Sequence, residues 1–136
     1  GGIRAVLQAA ISTTDADFVV KLIDVWPDNT EYPGYQMLVR GDIMRGRSRR
    51  SFSAPEPFTP GEPTEVAFTM PDIAHTFRKG HRIMVQVQSS WFPLADRNPQ
   101  QFVDIYRCAA SDFIPCDVRI YHDRRRPSRL EVLRLR

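Results

Sequence analysis

Proline interrupts this chain too often for a long helix to form: eleven of its 136 residues are proline, about 8% against a usual ~5%. Each ring fixes φ and removes a backbone donor, so the elements between prolines are short. Within those elements apolar residues recur with period two. Ile83, Val85, Val87 and Ser89 fall on one face and Met84, Gln86, Gln88 and Ser90 on the other, the pattern of a strand with one buried face. Thr64–Met70 repeats the pattern with Val66, Phe68 and Met70 inward, and Asp117–His122 repeats it with Val118 and Ile120 inward. Longer apolar runs at Ile3–Ile11, Phe18–Trp26 and Tyr35–Met44 are rich in Val, Ile, Tyr and Phe and read as central strands covered on both faces. Ala5–Ile11 also fits a helical turn. The stretch holding Pro55, Pro57, Pro60, Gly61 and Pro63 reads as an irregular crossing, Gly80 marks a tight turn, and Leu130–Leu135 forms a closing strand. About eight strands joined partly by long crossings predict an all-β jelly-roll β-sandwich of the galactose-binding-like type, a single domain over residues 1–136.

That length accommodates one domain with an ordinary hydrophobic core. At 42% hydrophobic residues the chain is globular, and no apolar run approaches the ~18 residues of a membrane span, so no membrane partner is expected. The net charge is +3, with the excess of basic residues confined to 45–50 and 117–136. All cations except Lys21 and Lys79 are Arg. There is no initiator Met and no basic-then-apolar leader, so Gly1 is expected to continue a preceding sequence.

The motifs that could hold catalytic or cofactor chemistry are each incomplete. Gly46-Arg47-Ser48-Arg49-Arg50 has half of a Gly-x-Ser-x-Gly elbow but places Arg50 at the second glycine, so Ser48 reads as a solvated turn residue. His75, His81 and His122 stand in no recognisable constellation and read as turn or strand-end residues. Cys108, Cys116 and His122, with Asp112 or Asp117, lack paired Cys-x-x-Cys spacing, and no zinc site is expected of them; the two cysteines can be thiols or one bridge. No Gly-rich phosphate cradle is present, so no cofactor is expected. The clusters Arg45/Arg47/Arg49/Arg50 and Arg124/Arg125/Arg126/Arg129 lack interleaved aromatics other than Phe52, which argues against nucleic acid and for solvated loops or a protein interface.

One stretch resists a purely structural reading. After the strand ending near Ser90 the chain runs Trp91-Phe92-Pro93-Leu94-Ala95-Asp96-Arg97-Asn98-Pro99. A loop this apolar either folds back on its own sandwich or docks on a partner. Here, and in order along nearly the whole chain, the sequence resembles the C-terminal jelly-roll domain of the cocaine esterase/NonD family of serine acyl hydrolases. The resemblance runs through Ser12–Pro27, Gly34–Asp42, Arg45-Gly46-Arg47, Phe58–Gly61, His75–Pro93 and Asp96–Pro99. The branch of α-amino-acid ester hydrolases and glutaryl-7-aminocephalosporanic acid acylases is most similar, and X-Pro dipeptidyl-peptidases resemble it more distantly.

The resemblance implies a domain without catalytic residues, because in such families the serine, acid and histidine belong to an upstream α/β-hydrolase domain. It implies a partner, that hydrolase domain of the same or a neighbouring chain, met through Trp91, Phe92, Arg97 and Asn98. It also implies sandwich strands upstream of Gly1. Their absence is expected to leave Ile3–Ile11 or its sheet neighbour as a bare edge, with Val6 and Leu7 uncovered, so that the isolated chain self-associates into homo-oligomers. The alternative is a stand-alone carbohydrate- or protein-binding jelly-roll module.

Overall fold

The computed structural model describes residues 1–134. Among these described residues seven strands form: β1 (Ile3–Ile11), β2 (Asp17–Val25), β3 (Gln36–Arg45), β4 (Thr64–Met70), β5 (Arg82–Gln88), β6 (Val118–Tyr121) and β7 (Arg129–Val132). All pairings are antiparallel. In one sheet β2 lies between β3 and β5; in the other β1 lies between β4 and a line made of β6 and β7. β6 pairs with Gln8–Ile11 and β7 with Ile3–Val6, so the two short strands stand end to end along one edge of β1. The chain changes sheet after β1, β3, β4 and β5, and the result is the expected all-β sandwich.

Alternation decides which side chains enter the space between the sheets. β1 sends in Ile3, Ala5, Leu7, Ala9 and Ile11, β2 sends in Phe18, Val20 and Leu22, and β4 sends in Val66, Phe68 and Met70. Full burial of each large residue stabilises the fold by about 1.5–3 kcal/mol. Phe58, from the proline-rich crossing, seals one end against Phe18. That crossing cannot join a sheet but is not loose: Phe58 N–H donates to the Thr14 carbonyl at 2.9 Å and Gly61 N–H to that of Ile11 at 2.7 Å.

The structure corrects five expectations, one of them that Tyr35–Met44 is a central strand covered on both faces: β3 ends its sheet, and of its residues only Met44 is buried. β1 is a strand throughout, with no helical turn at Ala5–Ile11, and it is the centre of its sheet rather than an edge, with Val6 and Leu7 buried. The bare edges are β4, the β6–β7 line, β3 and β5. The closing strand is Arg129–Val132, shorter than Leu130–Leu135, whose last residue lies outside the described residues. The face of β5 carrying Ile83, Val85 and Val87 does point to the core side, opposite Asp24, Leu22 and Val20, but it is not buried. Those residues are 63%, 46% and 39% exposed, because β5 ends its sheet and, among the described residues, the opposite sheet does not cover it.

Candidate functional site

The loop after β5 folds back across the outer face of its own sheet. Trp91 lies over the backbone of Gly41 on β3, where any side chain would collide with the indole ring. The ammonium of Lys21 on β2 sits 4.6 Å from the same ring, a cation–π contact. Glycine at position 41 is thus a packing requirement of Trp91. The next residues turn outward: Phe92 is 65% and Leu94 71% exposed. The far end is pinned again, since Asn98 is 4% exposed and its amide donates to both Asp15 Oδ2 and Asp17 Oδ1 at 2.9 Å. Arg97 stacks over Phe113 at 5.1 Å. Of the residues expected at an interface, Trp91 is half-spent on its own sheet, Phe92 is free, Arg97 is occupied by Phe113, and Asn98 is an internal anchor. Two fixed ends therefore hold an apolar tip up to solvent.

The anchor belongs to a buried polar knot at the β1–β2 end. Asp15 accepts the Arg47 guanidinium through Nε–H at 2.7 Å and the Arg47 backbone N–H at 3.0 Å, besides the Asn98 amide. Arg47 also donates to the carbonyl of Val103 at 2.7 Å, which ties the long 89–117 connection to the same point. Burial raises the Asp17 carboxyl above its ordinary range, against the hydrogen bond from Asn98 and the charge of Arg45, which lower it. Arg49 is internal as well, with its guanidinium 4.0 Å from the Phe58 ring and donating to the carbonyls of Gly46, Glu56 and Pro57. Desolvation depresses its pKa. Half of the first basic cluster is thus structural strut, not solvated loop. In the second cluster Arg126 covers Tyr121 at 3.9 Å, while Arg124 and Arg125 are exposed.

A second knot escaped the sequence reading. Asp24, on the core side of β2, is 2% exposed and accepts from His75 Nε2 at 3.0 Å and His81 Nδ1 at 2.8 Å. Both histidines come from the segment leading into β5, and they border a cleft with Trp26, Met37 and Arg78. The signal was present: Asp24 continues the inward series Phe18, Val20, Leu22, and a carboxylate there requires buried partners. The arrangement is an acid with two imidazoles and no nucleophile, since among the described residues no serine hydroxyl reaches either ring. Cys108 and Cys116 are free thiols; the Thr13 hydroxyl donates to the sulfur of Cys116 at 3.1 Å.

Two antiparallel sheets, a pinned apolar loop and buried polar knots define a β-sandwich domain. Residues 1–131 match the family of X-Pro dipeptidyl-peptidase C-terminal non-catalytic domains, and the chain belongs to that family. It is 42% identical over 98 residues to the cocaine esterase of Rhodococcus sp. (strain MB1 Bresler), an alignment covering 72% of this chain and 16% of that protein. Among solved structures, an aminopeptidase from a marine sediment Thaumarchaeota archaeon superposes with a TM-score of 0.92 at 44% identity, covering 96% of this chain and 22% of the other. An α-amino acid ester hydrolase gives the same values. The chain thus spans about a sixth to a fifth of the length of these relatives.

Proposed function

We propose that this chain is the C-terminal part of a longer serine acyl hydrolase and shapes or rigidifies the active site of an α/β-hydrolase domain without supplying catalytic groups. The chemistry of such a parent is attack of a serine on an ester or amide, followed by hydrolysis of the acyl-enzyme. Esters or amides of the α-amino-acid ester hydrolase or glutaryl-7-aminocephalosporanic acid acylase type, or X-Pro peptides, are its substrate class. The observation that carries this reading is the tip at Phe92 and Leu94, held out by Trp91 at one end and Asn98 at the other. Apolar side chains presented on a braced loop gain free energy only when a partner covers them. Arg97, exposed on the same loop three residues beyond Leu94 and stacked over Phe113, adds a charge to this surface.

The test has two arms. The 136-residue chain incubated with p-nitrophenyl acetate or an α-amino-acid methyl ester is expected to be inert, and turnover blocked by a serine reagent would overturn the assignment. In the complete polypeptide, Phe92→Ala with Leu94→Ala is expected to separate the unfolding of the two domains and to lower kcat/KM several-fold. Unchanged cooperativity and activity would remove the loop from the interface.

A further inference from the structure

The Asp24 knot leaves half of each imidazole unused. His75 spends Nε2 and His81 spends Nδ1 on the two oxygens of the buried carboxylate. With those N–H groups donating, the tautomer leaves a lone pair at His75 Nδ1 and at His81 Nε2, and neither nitrogen has a hydrogen-bond partner among the described residues. Neither is sealed off: they do not figure among the buried side-chain atoms without a partner, and both rings line a cleft of about 650 Å³. Two acceptors with a carboxylate behind them suit a cationic donor, an ammonium above all. The same cleft supplies the opposite charge. Arg78 lines it, is exposed, and pairs with no carboxylate among the described residues. The other walls include Met37 and Trp26, the latter held edge-to-face against Tyr35 at 5.6 Å. A second hollow of about 530 Å³ adjoins through Met37 and His75 and adds the apolar side chains of Leu38 and Ile73.

We propose that this cleft binds a free, zwitterionic α-amino acid with an apolar side chain. Its ammonium donates to the free imidazole nitrogens of His75 and His81, its carboxylate accepts from the Arg78 guanidinium, and its side chain lies along Trp26 and Met37 toward the adjoining hollow. A carboxylate without an amine meets two lone pairs and the charge of Asp24, and an amine without a carboxylate leaves the guanidinium unpaired, so the zwitterion suits the cleft where either half does not. The volume falls within the roughly 300–1,000 Å³ usual for small-molecule sites. Hydrolysis of an α-amino-acid ester releases such a zwitterion, and for this source of the ligand alone the inference rests on the proposed function. The product is then held by a domain that takes no part in forming it.

Calorimetric titration of the complete polypeptide with L-phenylalanine, after treatment with a serine reagent to block the catalytic site, tests this. Saturable binding with a Kd at or below about 1 mM is expected, and binding at least about tenfold weaker for phenylpropionate and for phenylethylamine, which each lack one charged group. No saturation up to about 10 mM, or an analogue that binds as tightly as L-phenylalanine, would overturn the proposal. This series needs no variant, so a folding failure leaves the proposal open to refutation. Arg78→Gln, at an exposed position outside the Asp24 knot, is expected to weaken L-phenylalanine at least about tenfold. Unchanged affinity would assign the binding to another site and overturn the proposal equally. In NMR spectra the imidazole nitrogen resonances of His75 and His81 are expected to move on addition of L-phenylalanine, and resonances that stay still would refute the contact. Turnover is assayed separately: a polypeptide that binds but is inert refutes the hydrolase reading alone, and one that is active but does not bind refutes the site alone.

Discussion

Asp15 and Asp24 are buried to the same depth at opposite ends of β2, and each is held by partners far along the chain. Their partners differ in kind. Asp15 faces a guanidinium, a backbone N–H and an amide. Asp24 faces two imidazole rings, those of His75 and His81. One knot pairs a carboxylate with a guanidinium; the other ties the 73–81 segment to β2 through two imidazole rings. The lesson is where each is needed. The Asp15 knot gathers the β1–β2 turn, the Gly46–Ser48 turn and residues 98–103 of the 89–117 connection, and therefore positions the apolar loop. The Asp24 knot fixes only the entry to β5.

The comparison predicts a graded loss of stability. Arg47→Met is expected to cost the most, about 3–5 kcal/mol, because it leaves the Asp15 charge buried with an incomplete set of partners. Urea unfolding of the domain checks this, and a loss below about 1 kcal/mol would mean that Asn98 and the backbone donor suffice. His81→Ala is expected to cost about 2 kcal/mol by removing one of two donors to Asp24. A loss equal to that of Arg47→Met would erase the distinction between the knots.

Asn98→Ala ranks third, at about 1–2 kcal/mol, since Asp15 keeps Arg47 while Asp17 loses the donor to its Oδ1. Its second effect is local: residues 90–97 should gain amide exchange while β2 and β3 do not. Were the whole sheet to loosen instead, Asn98 would be part of the core's cooperative unit and not a loop anchor.

What the sequence revealed follows from the range over which its signals act. Alternation is local, so β4, β5 and the three long runs were legible with boundaries within a residue or two. Burial is not local. Ile83, Val85 and Val87 alternate as a core face does, yet only the opposite sheet decides whether that face is covered. Likewise Ile3–Ile11 carries no charge beyond Arg4 and no proline, features that suited either an unprotected edge or a central strand; pairing with β4 on one side and β6–β7 on the other makes it central. The Asp24 knot joins residues 51 and 57 positions apart, and no periodicity encodes such a pairing. The loop at Trp91 was visible because an apolar run broken by proline fits no strand. Its division into a packed Trp91 and a free Phe92 depended on Gly41, fifty residues away.

Asp17 gives the smallest expected effect and the sharpest test of how the Asp15 knot is charged. Burial raises its carboxyl above the ordinary value of 3.8, with Asn98, Arg45 and Arg47 opposing and Asp15 reinforcing the rise. A group whose folded pKa is raised favours folding while protonated: its contribution is fully present below 3.8 and is lost as pH rises through the raised value. Ionised Asp17 is therefore a mild burden at neutral pH, tolerated because its Oδ1 completes the Asn98 amide. Asp17→Asn keeps an oxygen for that amide and removes the charge. The variant is expected to gain on the wild type over the interval from pH 3.8 upward, read as the difference between two sets of urea midpoints. A difference that shrinks over that interval would mean that Arg45 and Arg47 outweigh burial, and that Asp17 shares the ion pair with Asp15.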